Sequence, residues 1–427
     1  MMWRLRRQLP GRRKAGQKWT QHLAKVLVSL DFEQSAAAPQ FFVKRSPWLG
    51  LEAHMDDMHV VGSRISIEEF TRTFSEQIDI KGGLPIEIGV TYTHLKRFRL
   101  RTNDVTYLWP NLKYLDNTLQ LMNMQNAKPA ATPSVMNFSD KLKDSPLLDE
   151  SDVQVYRSAL GSMIFYGLDR EDVQGEINIL GAYLQHPTAA CMAALKRVLR
   201  YLLGTRDGRI EMHKPTHGEP GKVLLEGSSD ADWGDEQATR RSKTSGHIEA
   251  DGCPLYGFVR RQGATATSSA VAEFYAATGV SEELLLFKEI LTFFGYVVDC
   301  VLLLDANAAK GISMRLGCGR IKHLEVRSLW LQEAVARLLL RVGRIPSLRN
   351  PADLGTKVFS ADRLQLLRQL CGYFLPGEAN VTSQHADVKA VTAGPSSRCS
   401  TSTSSVGSSQ CDQCVRLRRC IELLTTT

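Results

Sequence analysis

From Val223 to Leu370 the spacing of apolar residues changes in a fixed order, and that order constrains the chain more than any other feature. Val223–Glu226 reads as a short strand leading into Ser229-Asp230. Gly246–Ala250 and Tyr256–Arg260 alternate around Gly252, the pattern of a half-buried hairpin. Ala270–Phe294 predicts a long helix, and Val297–Leu304 a mostly apolar strand running into Asp305. Arg327–Leu340 reads as a helix, Arg341–Pro346 as a last strand and Ala361–Leu370 as a closing helix. Three hairpin strands followed by alternating helices and strands imply a mixed sheet with helices packed on its faces.

Four acids stand where these elements begin or end. Asp230 follows the first strand, Glu273 lies early in the long helix, Asp305 closes the fourth strand and Asp353 precedes Leu354-Gly355. Carboxylates gathered at one rim of a sheet repel one another unless divalent cations sit between them. Such a cluster suits two-metal phosphodiester cleavage, with ions about 3.5–4 Å apart. Acids at strand ends also serve as plain turn and cap residues, and Asp232 competes with Asp230 for the ligand role.

The chain of 427 residues is long enough for two or three domains. Before the sheet pattern, Trp19, Leu23, Val26, Leu27 and Leu30 recur at helical spacing. Phe41-Phe42-Val43, a turn at Pro47 and Met58–Val61 then read as strand, turn and strand, with Asp56 and Asp57 heading the last apolar run. From Gly82 to about Pro215 the pattern is mixed. A two-proline loop spans Lys128–Ser134, and helices fall around Tyr156–Phe165 and Met192–Leu203. The second helix carries Lys196, Arg197 and Arg200 opposite its apolar face. Beyond Pro376 the chain turns Ser/Thr-rich, the composition of a disordered tail.

No apolar run approaches the roughly 20 residues that a membrane-spanning helix requires. The formal net charge is +8, which fits a polyanionic partner. No acid precedes Asp31, while Arg4, Arg6, Arg7, Arg12, Arg13 and Lys14 crowd the start. A mitochondrial presequence has the same charge pattern but is rich in Ser, which this arm is not. The scattered cysteines read as reduced thiols of an intracellular protein, cytoplasmic or nuclear. Cys411, Cys414 and Cys420 lack the paired partners of a zinc site.

Particular segments resemble the Pol polyprotein of copia-type LTR retrotransposons. "SSDADWGDE" at 228–236 is similar to that family's Ser-Asp-Ala-Asp-Trp signature, and "SSAVAEFYA" at 268–276 to its Ser-Ser-x-Glu-Ala-Glu-Tyr segment. "LLLDANAA" at 302–309, "RIKHLEVR" at 320–327 and "NPADLGTK" at 350–357 follow in family order. The resemblance implies a ribonuclease H domain with Asp230, Glu273, Asp305 and Asp353 as catalytic metal ligands, and His323 as an auxiliary group. Val271, Phe274 and Ala306 depart from the pattern. Upstream, "LPGRRKAGQKW" at 9–19, "HMDDMHVVG" at 54–62, "KPAATP" at 128–133, "YRSALGSMIFY" at 156–166 and "ALKRVLRYLLGT" at 194–205 resemble the reverse transcriptase of the same family. "HMDDMHVVG" is similar to the palm hairpin, with Asp56 and Asp57 as a polymerase remnant and His54 in place of Tyr.

The fold expected from the resemblance is α+β / α/β: a partial reverse transcriptase palm and connection, then an RNase H-like mixed sheet flanked by helices. Residues 1–100 form the truncated palm, 101–215 a thumb- or connection-like region, 216–373 the RNase H-like domain and 374–427 the tail. The implied reaction is metal-dependent hydrolysis of RNA in an RNA–DNA hybrid, with two Mg2+ ions and Mn2+ as an alternative. The polymerase half is expected to be inactive alone, because the earlier palm strand with its Asp is not in this sequence. Lys196, Arg197, Arg200, Arg240, Arg241 and Lys243 either track nucleic acid or form ordinary solvated faces. Expected partners are a hybrid or other nucleic acid and the parent polyprotein, without a membrane. A catalytically decayed or repurposed fragment that binds nucleic acid or that polyprotein is the alternative.

Overall fold

The computed structural model describes residues 13–135, 142, 145–213, 221–234, 240–319 and 324–378. His323, most of the basic arm and the tail cysteines lie outside the described residues. So does the Ser/Thr-rich tail beyond residue 378. The architecture is mixed α and β, with three sheets and ten α-helices among the described residues.

The first unit opens with α1 (Ala15–Ser29), which buries Leu23, Val26 and Leu27. Strands β1 (Glu33–Gln34), β2 (Phe41–Arg45), β3 (Trp48–His54) and β4 (Asp57–Gly62) form an antiparallel sheet in chain order. The sequence pattern showed only two of these strands. β3 escaped because Glu52, fully buried, interrupts its apolar alternation. Helix α2 (Arg64–Ser75), capped by Ser63, joins α1 in covering the sheet through Phe70 and Phe74.

Strands β5 (Thr91–His94), β6 (Arg97–Arg101) and β7 (Val105–Pro110) begin a second antiparallel sheet. Helices α3 (Lys113–Leu121), α4 (Glu150–Tyr166), α5 (Glu171–Gly181) and α6 (Ala189–Gly204) then pack a helical core around Tyr156, Leu160, Leu195 and Leu199. The chain returns to the sheet as β8 (Arg209–His213) beside β7.

The third sheet holds β9 (Lys222–Ala231), β10 (Lys243–Ala250), β11 (Cys253–Arg261), β12 (Val297–Leu304) and β13 (Arg341–Arg344), ordered β11-β10-β9-β12-β13. β9, β10 and β11 pair antiparallel, whereas β12 runs parallel to both β9 and β13. This is the mixed sheet that the sequence pattern predicts. Helix α7 (Ser269–Phe294) crosses one face, where Gly227 and Gly246 leave room for it. A Cβ on Gly227 would approach Leu284 and Val280 to 2.9 Å, and one on Gly246 would meet Val280 at 2.6 Å. Gly295, at φ 107, ends the helix in the left-handed conformation open to glycine.

Helix α8 (Asn307–Ser313) follows β12. The expected helix over Arg327–Leu340 is shorter: a 3-10 turn at Val326–Ser328 leads into α9 (Trp330–Ala336), and Leu338 at φ 57 turns the chain toward β13. Helix α10 (Ala361–Leu370) and β14 (Tyr373–Phe374) close the described chain. β14 pairs with β8, and β6 runs across residue 100, so the second sheet links segments that the sequence reading separates. Phe41 of β2 also meets Phe294 of α7 edge-on, with ring centroids 5.6 Å apart. Among the described residues no helix is long and apolar enough to cross a membrane.

Candidate active site

Register places the first two acids. In the parallel pairing of β9 with β12, Ser228 stands opposite Leu303. Asp230 and Asp305 each lie two residues further on, so strand alternation carries them to the same face at the carboxyl ends of adjacent strands. Asp230 lies within β9 rather than after it, and it is buried. Asp305 is half-buried just past β12.

Glu273 arrives from the second turn of α7, whose first turn is fixed by the Ser268 hydroxyl accepting from the Val271 N–H. Gln262 holds the helix start to the sheet by donating to the Ala272 carbonyl at 2.9 Å and to Thr244 at 3.2 Å. Asp230, Glu273 and Asp305 each present an oxygen, and the three oxygens lie within 4.8 Å of one another. Val271 and Phe274, where the sequence departs from the family pattern, are buried in the core.

Asp353 reaches the cluster through an intermediary. It sits in the 3-10 segment Pro351–Gly355, and its carboxylate accepts from Lys357 Nζ at 2.6 Å. The same ammonium donates to Asp230 at 3.1 Å, and the Thr356 hydroxyl donates to the other Asp230 oxygen. Asp353 is therefore separated from the three gathered acids by a lysine. Buried Asn350 anchors this segment to β9 by donating to the Ser229 carbonyl at 3.0 Å. Gly355 brings the backbone against β10 and β11, since a Cβ there would lie 2.3 Å from Val259 Cγ2.

Burial raises the carboxyls of Asp230, Glu273 and Asp353 above their ordinary range. Glu273 is pushed up to about 8 by burial and then by the charges of Asp230 and Asp305. Burial likewise raises Asp353 to about 6, against the opposing hydrogen bond from Lys357. Asp230 also moves up, mainly by burial, while Lys357 and Thr356 pull it down. The Lys357 ammonium moves up because Asp230 and Asp353 favour its charge over the cost of its burial. A divalent cation is the natural relief for three carboxylates so placed, and hard oxygen donors suit Mg2+ or Mn2+.

Asp232 is engaged elsewhere: its carboxylate accepts from the Lys243 N–H at 2.6 Å and pairs with Lys243 Nζ at 3.1 Å. Lys243 is thus buried against an acid rather than displayed on an open face. Arg240 and Arg241 are exposed at the start of β10. On α6, Lys196 is exposed, whereas Arg197 donates to Thr132 at 2.9 Å and Arg200 to the Lys128 carbonyl at 2.6 Å. These two arginines fasten the Lys128–Ser134 loop to the helix. Asp56 and Asp57 lie exposed at the β3–β4 hairpin, and among the described residues no third acid, His or Cys gathers with them.

Thr356, Lys357 and Asn350 carry parts of the site that the sequence reading did not assign. Its available signal was the four-residue spacing of Asp353 and Lys357 within "NPADLGTK".

No protein-family model matches the chain. The retrovirus-related Pol polyprotein from transposon TNT 1-94 of Nicotiana tabacum is 27% identical over 387 residues, covering 87% of this chain and 28% of that protein. The corresponding polyprotein from transposon RE1 of Arabidopsis thaliana is 26% identical over 384 residues, covering 85% of this chain and 24% of that protein. Among solved structures, a foamy viral protease-reverse transcriptase in complex with dsDNA aligns at TM-score 0.43 and 9% identity, over 79% of this chain and 60% of that one. That likeness is too slight to carry an argument. The chain spans about a quarter of the length of these two polyproteins, and it is a homologue, at the scale of a Pol fragment, of the retrovirus-related Pol polyproteins of copia-type transposons.

Proposed function

We propose that this chain hydrolyses the RNA strand of RNA–DNA hybrids through a divalent-metal site built on Asp230, Glu273 and Asp305. The observation that carries the reading is the gathering of three carboxylates from β9, α7 and the end of β12 within 4.8 Å. When bound, the ions lower the pKa of an attacking water and stabilise the leaving oxygen. The protein's part is to hold the oxygens in place. β9 and β12 fix two by register, α7 supplies the third, and Lys357 with Thr356 orients Asp230.

Asp353 enters as a fourth ligand for a second ion if Lys357 withdraws from between it and Asp230. The lysine side chain is 45% exposed, so such a swing is open to it. Lys196, Arg240 and Arg241 present charge for the phosphate backbone, which supplies most of the affinity in such complexes. The polymerase half is without activity alone in this reading, since among the described residues Asp56 and Asp57 gather with no third metal-ligating side chain.

The test is substrate discrimination by the full chain with Mg2+. The expected result is nicking of the RNA strand of a hybrid, with duplex DNA of the same sequence left intact. Equal cutting of both, or binding of hybrid without cutting, contradicts the proposal, and the second outcome favours a fragment that only binds nucleic acid.

A further inference from the structure

Beside Gly246, which faces α7, His247 points to the opposite face of the sheet. There its Nδ1 lies 2.7 Å from Glu171 Oε2 at the start of α5, and its Nε2 lies 3.6 Å from Glu249. Cys371, one residue past α10, completes the group. Glu171, His247 and Cys371 each offer one donor atom, all within 4.8 Å of one another. His247 and Cys371 are 2% and 4% exposed. Gly257 of β11 makes the space, because a Cβ there would lie 1.9 Å from Glu171 Cδ. A small cleft, with room for about one water, has Glu171, Cys371 and Tyr373 in its lining and adjoins the group.

An ion pair between Glu171 and His247 accounts for two of the three side chains. The Cys371 thiol, brought to the same point from the end of α10, hydrogen-bonds with both. Carboxylate, imidazole and thiolate together are the ligand types of zinc, whereas Mg2+ takes oxygen alone. The neighbouring cations do not oppose a metal here. Arg170 is paired with Asp172 at 2.8 Å, and Arg368 with Glu378 at 2.5 Å.

We propose that Glu171, His247 and Cys371 form a zinc site, with water from the cleft in the fourth position, that ties α5 to the third sheet and to the end of α10. Binding is an exchange in which the Cys371 thiol and the His247–Glu171 pair release their protons as bonds form from zinc to sulfur, nitrogen and oxygen. Such a clip joins the helical core to the sheet that carries Asp230 and Asp305, yet it is separate from the hydrolytic site. Glu52, His59 and His94 form another gathered set, without a thiol, so zinc stoichiometry alone does not decide the matter.

The deciding experiment uses the full chain with Cys399, Cys411, Cys414 and Cys420 changed to Ser, titrated with Co2+ in excess Mg2+. The expected result is a thiolate-to-cobalt charge-transfer band that saturates at one equivalent and is bleached by zinc. It should vanish on adding Cys371→Ser or His247→Gln and persist with Glu52→Gln. No band in the parent protein, or a band unchanged by Cys371→Ser, overturns the proposal. Should those variants not fold, alkylation of the parent decides. Zinc is expected to slow modification of Cys371 but not of Cys318, and equal slowing of both or of neither contradicts the site.

Discussion

Lys357 Nζ lies 2.6 Å from Asp353 Oδ1, four residues earlier in the chain, and thereby sits where a cation between Asp353 and Asp230 would sit. The ammonium acts as a built-in counterion for the metal-free protein. Replacing it by methionine leaves two buried acids facing each other. Breaking a fully buried pair costs about 3–5 kcal/mol, and the half-exposed lysine warrants a smaller figure, about 1–2 kcal/mol. Lys357→Met is therefore expected to lower urea resistance without Mg2+ and to bind Mg2+ more tightly. Unchanged stability together with unchanged Mg2+ affinity would refute this role.

The hairpin acids allow a negative prediction. Asp56 and Asp57 are exposed and gather with no third ligand among the described residues. Nucleotide addition needs ions clamped between carboxylates. The purified chain should not extend a primer on an RNA template, and Mg2+-dependent extension that Asp56→Asn abolishes would show this account of the hairpin to be mistaken.

The basic residues of α6 separate by what they touch. Lys196 is exposed, whereas Arg197 holds Thr132. Lys196→Ala is expected to weaken hybrid binding and to reduce the slope of log affinity against log salt by about 1. Arg197→Ala should instead cost about 1 kcal/mol of stability and leave the slope alone. Interchanged effects of the two variants would contradict the assignment.

A pH dependence follows from Glu176, which is pushed from an ordinary 4.5 to about 7, first by burial, while Ser134 donates to it at 2.6 Å. The folded chain keeps this proton where the unfolded chain has lost it. Its stabilising contribution is full below about pH 4.5 and is lost as pH rises through about 7, a change of about 3 kcal/mol at most. Urea midpoints measured between pH 5 and 8 should fall less steeply in Glu176→Gln. An identical slope would remove Glu176 from the explanation.

The third sheet was readable because its elements follow simple patterns. Val297–Leu304 is an apolar run with one interruption, and Ala270–Phe294 is long and stops at Gly295. β9 reads short in sequence because Ser228, Ser229 and Asp230, in its second half, are polar groups buried in a central strand. There the demands of a site override the apolar signal. β14 had no local signature at all, since its partner β8 lies some 160 residues earlier. The three gathered acids were legible from their order. The lysine between Asp230 and Asp353 was not, because its role depends on a contact with a strand 127 residues away.

Asp305→Asn tests the hydrolytic reading most directly. The change removes one charge from the end of β12 while nearly keeping its shape, so the fold should persist and be equally or slightly more stable without Mg2+. Hybrid nicking should fall by more than about 100-fold, since even partners outside a metal's ligand set typically cost about 10–100-fold. A folded Asp305→Asn protein that nicks hybrid at the wild-type rate would contradict the account. So would a folded wild-type chain that binds hybrid and, with Mg2+ or Mn2+, cuts nothing.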